Sequence, residues 1–181
     1  MLPPGHIAAG YLVTKIFLGL AKPELNTTQT DQLLLWGMFF AFAPDLDMFY
    51  AFWKEKSFRH TGKNFSHRQF VAHIPLVWLI AGIGINFLSQ NEFIRYFGLI
   101  MWLGSWSHFI LDCGTFGIRW FYPFSKKFYA LKSPGVSEVN NNKGFFSHWY
   151  HLVQMYRKKD KLTFYTEIIL ICAALAVFLI Y

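Results

Sequence analysis

Gly104-Ser105-Trp106-Ser107-His108-Phe109-Ile110-Leu111-Asp112 sets a histidine and a carboxylate four positions apart in an apolar run. On a helix that spacing brings both side chains to one face, about one turn apart. Titratable groups in apolar surroundings cost several kcal/mol unless they are paired, hydrogen-bonded or bound to metal. The stretch therefore reads as a helix packed in a bundle with its polar face turned to a shared site. Asp45, Asp47, His67 and His6 stand at the edges of other apolar runs and repeat the signal.

The rest of the chain supports a bundle in a membrane. Of 181 residues, 54% are hydrophobic, 20% aromatic and only 15% charged. A soluble protein of this size would have too few polar residues to cover its surface. Apolar runs fall at 5–21, 32–53, 74–89, 97–112 and 163–181, with no repeat, low-complexity tract or linker between them. The expected fold is all-α: one domain over 1–181, a multi-span membrane bundle of about five helices. Most runs are shorter than the ~20 residues that span hydrocarbon comfortably. Phe164–Tyr181 is the plain spanning helix, with Glu167 near its start. Met1-Leu2-Pro3-Pro4-Gly5 lacks a basic n-region, so no cleaved secretory signal is expected. Cys113 and Cys172 form no disulfide framework, and Cys113, although next to the polar pair, reads as packing.

The net charge of +7 could suggest nucleic acid, but no basic–aromatic recognition motif accompanies it, and no nucleic-acid partner is expected. Its distribution reports orientation instead. If all five runs cross, Lys54, Lys56, Arg59, Lys63 and Arg68 share a side with the basic residues between Arg119 and Lys161, while Lys22 and Arg95 lie opposite. The positive-inside rule then places the N-terminus and both basic loops in the cytoplasm. On this topology His6 opens run one, Asp45 and Asp47 close run two, His67 and His73 precede run three, and His108 with Asp112 closes run four. All reach the same membrane face. Polar accidents would have divided between the two ends.

Mixed imidazole and carboxylate donors suit zinc, manganese or iron. Such ions lower the pKa of bound water and clamp the oxygens of a displacement at phosphorus. His108 and Asp112 could instead be a packing histidine and a capping acid. An acid at the end of a helix, just before Cys113-Gly114, is disfavoured by the macrodipole, which argues for a ligand. Pro44-Asp45-Leu46-Asp47 could be a helix break with a capping aspartate. Asp45 is the better ligand, leaving Asp47 to orient a histidine. His6 alone is equally an interfacial residue. Of the histidines before run three, His67 ranks first, then His73, then His60; Pro75 interrupts the register after His73. Arg68 could grip a phosphate bidentately or snorkel to headgroups. His148 and His151 fit an interfacial aromatic–basic helix better than a second metal position. HExxH, Walker, GxSxG and paired CxxC motifs are missing, which removes support for zincin, nucleotide-driven and serine-hydrolase chemistry.

Taken together, His6, Pro44-Asp45-Leu46-Asp47, the His67 segment, Ser107–Asp112 and Gly117-Ile118-Arg119-Trp120-Phe121-Tyr122-Pro123-Phe124 resemble the LexA-regulated, membrane-bound predicted metal-dependent hydrolases of bacteria. The resemblance covers residues 5–125, and its most specific part is the HxxxD segment with Thr115, Gly117 and Tyr122-Pro123-Phe124. That family is similar in pattern to the zinc-dependent phospholipase C and single-strand nuclease superfamily. The resemblance implies His6, Asp45, His67, His108 and Asp112 as metal ligands, with Asp112 able to bridge two ions. It also implies a bacterial inner membrane location. The resulting expectation is a metal-dependent hydrolase with its site on the cytoplasmic face, holding zinc as one or more ions, with manganese or iron as alternatives. It would cleave a phosphoester of a lipid or lipid-linked substrate, with Asp45, Asp47 and Arg68 as the catalytic set and membrane lipid as the partner. A haem or electron-transfer protein, an ion transporter and a non-catalytic metal-binding stress-response protein are the competing classes.

Overall fold

The computed structural model describes residues 1–55, 70–114, 117–131, 150, 153–154, 156–158 and 160–180. Among these residues it is all-helical: α1 (Pro3–Ala21), α2 (Thr27–Phe42), α3 (Asp47–Glu55), α4 (Pro75–Leu88), α5 (Glu92–Cys113) and α6 (Lys161–Ile180). Two 3-10 turns, η1 (Ala43–Leu46) and η2 (Val71–His73), join them.

Two helices begin earlier than the apolar pattern suggests, and capping explains both. Asn26 accepts from the Gln29 amide at 2.9 Å while Gln29 Oε1 accepts from the Asn26 amide at 3.1 Å, a capping box that starts α2 at Thr27. Asn91 accepts from the Ile94 amide at 3.1 Å and starts α5 at Glu92. The run at 32–53 is divided in two by Pro44. Its ring removes an amide donor and crowds the preceding turn, so the chain tightens into η1 between α2 and α3.

Small residues let the helices approach closely. A Cβ added to Gly10 would lie 2.5 Å from the Gly37 carbonyl oxygen, and one on Gly37 would collide with Thr14, so α1 and α2 touch backbone to backbone. Gly82 and Gly98 do the same for α4 and α5, where an added Cβ on Gly82 would stand 2.5 Å from the Gly98 oxygen. Glycine at such contacts is what helix packing inside a bilayer selects, because van der Waals contact there replaces the hydrophobic effect. At one end of the bundle Leu18, Leu33 and Ile100 of α1, α2 and α5 form an apolar cluster. The α1 helix runs antiparallel to α2 and α5, so its start meets their ends, and there the polar residues collect.

Among the described residues two segments are long and apolar enough to cross a membrane, Thr27–Tyr50 with mean hydropathy 1.3 and Lys161–Ile180 with 2.3. The α4 helix is a shorter apolar helix of 14 residues. Five crossings are therefore not given by length and apolarity alone. Polar and small residues on α1 and α5, the same ones that build the bundle interior, lower their hydropathy.

Candidate metal centre

Four separate elements deliver the polar side chains. The first turn of α1 carries His6, η1 carries Asp45, η2 carries His73, and the last turns of α5 carry His108 and Asp112. His6 and His108 are 0% exposed, His73 and Asp112 1%, and Asp45 8%. His6 Nε2 stands 3.3 Å from Asp112 Oδ1, and His108 Nε2 stands 3.9 Å from Asp112 Oδ2. His108 Nε2 and His73 Nε2 lie 3.7 and 3.6 Å from Asp45 Oδ1. Two overlapping groups, His6–His108–Asp112 and Asp45–His73–His108, each offer ligand atoms within 4.8 Å of one another and could hold a metal ion.

The outer contacts fix which nitrogens are available. His108 Nδ1 is 2.9 Å from the Ala41 carbonyl oxygen, which can only accept, so Nδ1 carries the proton and Nε2 keeps its lone pair in the neutral ring. His73 Nδ1 stands 2.8 Å from Asp47 Oδ2 and donates to that carboxylate, which turns Nε2 inward to 3.6 Å from Asp45 Oδ1. Buried His6 Nδ1, His6 Nε2 and His108 Nε2 have no hydrogen-bond partner of good geometry among the described residues. Leaving a buried polar atom unsatisfied costs about 1–3 kcal/mol. Nε2 of His6 and Nε2 of His108, both facing Asp112, fit a metal ion as common partner, in the place where the Met1 ammonium now stands 2.7 Å from Asp112 Oδ1. The spacings agree: bonds of about 2.0–2.2 Å in a tetrahedron put neighbouring donors roughly 3.3–3.6 Å apart.

The framework around these groups is rigid where the ligands need it. Trp78 Nε1 donates to the Ala72 oxygen at 2.7 Å and Trp106 Nε1 to the Pro75 oxygen at 3.1 Å, which clamps the η2–α4 corner that presents His73. The His6 and His108 rings stack with centroids 4.0 Å apart and an interplanar angle of 26°. Beyond α5 the chain turns back through Gly117, whose φ of +83° a side chain would rarely adopt. There its amide donates to the Asp112 carbonyl at 3.3 Å, and Ile118 pairs with Tyr129. Cys113 Sγ donates to the Tyr129 oxygen at 3.1 Å and so packs under this loop instead of joining the ligands.

Of the residues singled out from sequence, His6, Asp45, His108 and Asp112 come together, with Asp47 against His73. His60, His67, Arg68, Thr115, His148 and His151 lie outside the described residues. His67, ranked ahead of His73, is among those outside the described residues, while the interruption expected at Pro75 is the start of α4: Pro75 takes its first position, and the preceding η2 turn carries His73 into the bundle. Sequence reasoning also passed over Glu167. It is 5% exposed on α6, where only Thr163 is comparably buried.

A comparison with protein families matches the YdjM inner membrane proteins over residues 1–181. The chain belongs to the YdjM inner membrane protein family. That membership agrees with the apolar composition and makes this a protein of the inner membrane. No curated protein and no solved structure matches the chain. The likeness to the phospholipase C and nuclease superfamily thus rests on the quoted motifs alone.

Proposed function

We propose that this YdjM-family protein is a metal-dependent hydrolase that cleaves a phosphoester of a lipid or lipid-linked substrate at the cytoplasmic face of the inner membrane. The observation that carries the reading is the convergence of five residues from four elements in two groups that share His108, His6–His108–Asp112 and Asp45–His73–His108, each with ligand atoms within 4.8 Å of one another. Zinc is the first choice among divalent ions, since an all-nitrogen-and-oxygen donor set at these spacings suits it, with manganese or iron next. A bound ion supplies Lewis acidity, which activates water and stabilises charge on a phosphoryl oxygen.

The residues then divide the work. His108 through Nε2 and the Asp112 carboxylate, which presents Oδ1 toward His6 and the Met1 ammonium and Oδ2 toward His108, would hold the ion together with His6. Asp45, at 8% exposure the most accessible of the five, is placed to take a proton from the attacking water. Asp47 keeps His73 oriented through its 2.8 Å contact. Arg119, on the loop that follows α5, holds its guanidinium 4.5 Å from the Phe128 ring, and its buried Nε has no partner among the described residues. It is suited to grip the substrate phosphate, a part that Arg68 could share. The Lys and Arg residues of the two basic loops favour lipid as the source of that phosphate.

A haem between His6 and His108 fits poorly, because rings stacked at 4.0 Å leave no space for a macrocycle. The test is elemental analysis of detergent-purified protein together with a screen of lipid phosphodiesters and phosphomonoesters. Stoichiometric metal with turnover that His108→Ala abolishes supports the reading. Metal without turnover on any phosphoester leaves a metal-binding membrane protein and removes the hydrolase.

A further inference from the structure

The α6 helix packs against α1 more than against any other element, and only Thr163 and Glu167 along it are buried. The Glu167 carboxyl group is buried against the first turn of α1: Oε2 accepts from the Leu2 amide at 3.4 Å, while the Gly5 amide donates to the Leu2 oxygen at 3.1 Å. Gly5 makes the space, because a Cβ there would stand 2.9 Å from Glu167 Cγ and 3.2 Å from Oε1. That first turn needs help. The N-cap residue Leu2 has no side-chain hydrogen bond to offer, and Pro3 and Pro4 contribute no amides, so only backbone contacts hold it internally. A carboxyl group at a helix N-terminus satisfies orphan donors and complements the macrodipole. His6 is the residue immediately after Gly5.

We infer that Glu167 is a positioning residue for the metal centre: a cap supplied across helices, from α6 to α1, that sets the direction of His6. The inference rests on the metal site proposed above. It makes α6 more than a membrane anchor, because the seating of α6 on α1 then tunes a ligand at the site. An ionisable side chain inside an apolar membrane segment is costly to keep, and this role accounts for its presence.

Cobalt(II) titrated into metal-free, detergent-purified full-length protein tests it, since the visible absorption of cobalt reports its ligands. We expect Glu167→Gln to weaken cobalt binding about 2- to 30-fold and to shift its spectrum toward that of His6→Ala, as loss of a helix cap beneath the ligand does. Glu167→Asp should restore part of both. Gly5→Ala pushes on the carboxyl group from the other side without removing it and should change the spectrum in the same direction. Hydrogen exchange at the Gly5 and His6 amides of the metal-free protein should accelerate in Glu167→Gln while the α5 amides hold their rates. A Glu167→Gln protein with wild-type cobalt affinity, spectrum and exchange overturns the inference. If the wild type takes up no cobalt, the metal site fails, and exchange still judges Glu167: acceleration confined to the first turn of α1 sustains the cap, and none overturns it.

Discussion

The same three helices build two opposite kinds of interior. At one end of the bundle α1, α2 and α5 contribute Leu18, Leu33 and Ile100, with Phe17, Tyr96 and Phe97 around them. About three turns away, at a rise of about 1.5 Å per residue, α1 contributes His6, the η1 turn that continues α2 contributes Asp45, and α5 contributes His108 and Asp112. Both ends are buried. The apolar end is satisfied by contact alone, so each residue there can be replaced by another of similar shape. The polar end is satisfied only if donors and charges find partners, and among the described residues several nitrogens have none. Burial of that kind persists when a function requires it.

The contrast can be broken from the polar end first. Removing His108 or Asp112 should eliminate stoichiometric metal and lower any hydrolysis more than 100-fold, because each belongs to the shared centre of the donor set; metal analysis and turnover on the same preparations check this. Asp47→Asn, which weakens the orientation of His73 without touching the ligands, should reduce metal affinity 10- to 100-fold in a competition titration with a chelator. At the packed interfaces the loss is of stability instead. Gly82→Ala forces a methyl group against the Gly98 carbonyl and should cost about 1–3 kcal/mol in detergent unfolding, with metal content per folded molecule unchanged. Leu179→Ala, at a side chain 81% exposed on α6, should change stability by less than about 0.5 kcal/mol.

Much of this arrangement is legible in the chain. The apolar runs locate the helices, since a run of hydrophobic residues long enough to be buried has few alternatives in a membrane. The His108–Asp112 pair and Asp45 announce themselves as polar groups in apolar surroundings. What the sequence hides is contact between distant residues. His73 looks weaker than His67 on local grounds, and only the η2 turn and the Asp47 carboxylate give it its place. Ala41 is invisible as a partner of His108 because it acts through its backbone oxygen. Glu167 reads as an ordinary acid near a helix start until Gly5, at the other end of the chain, is seen to make room for it.

X-ray absorption at the zinc edge, on full-length protein loaded with one equivalent of zinc per chain, addresses the central claim most directly. The account predicts nitrogen and oxygen scatterers alone at about 2.0–2.1 Å, with the outer-shell pattern of at least two imidazoles. A sulfur shell near about 2.3 Å, or zinc that keeps the spectrum of the hydrated ion, would contradict it.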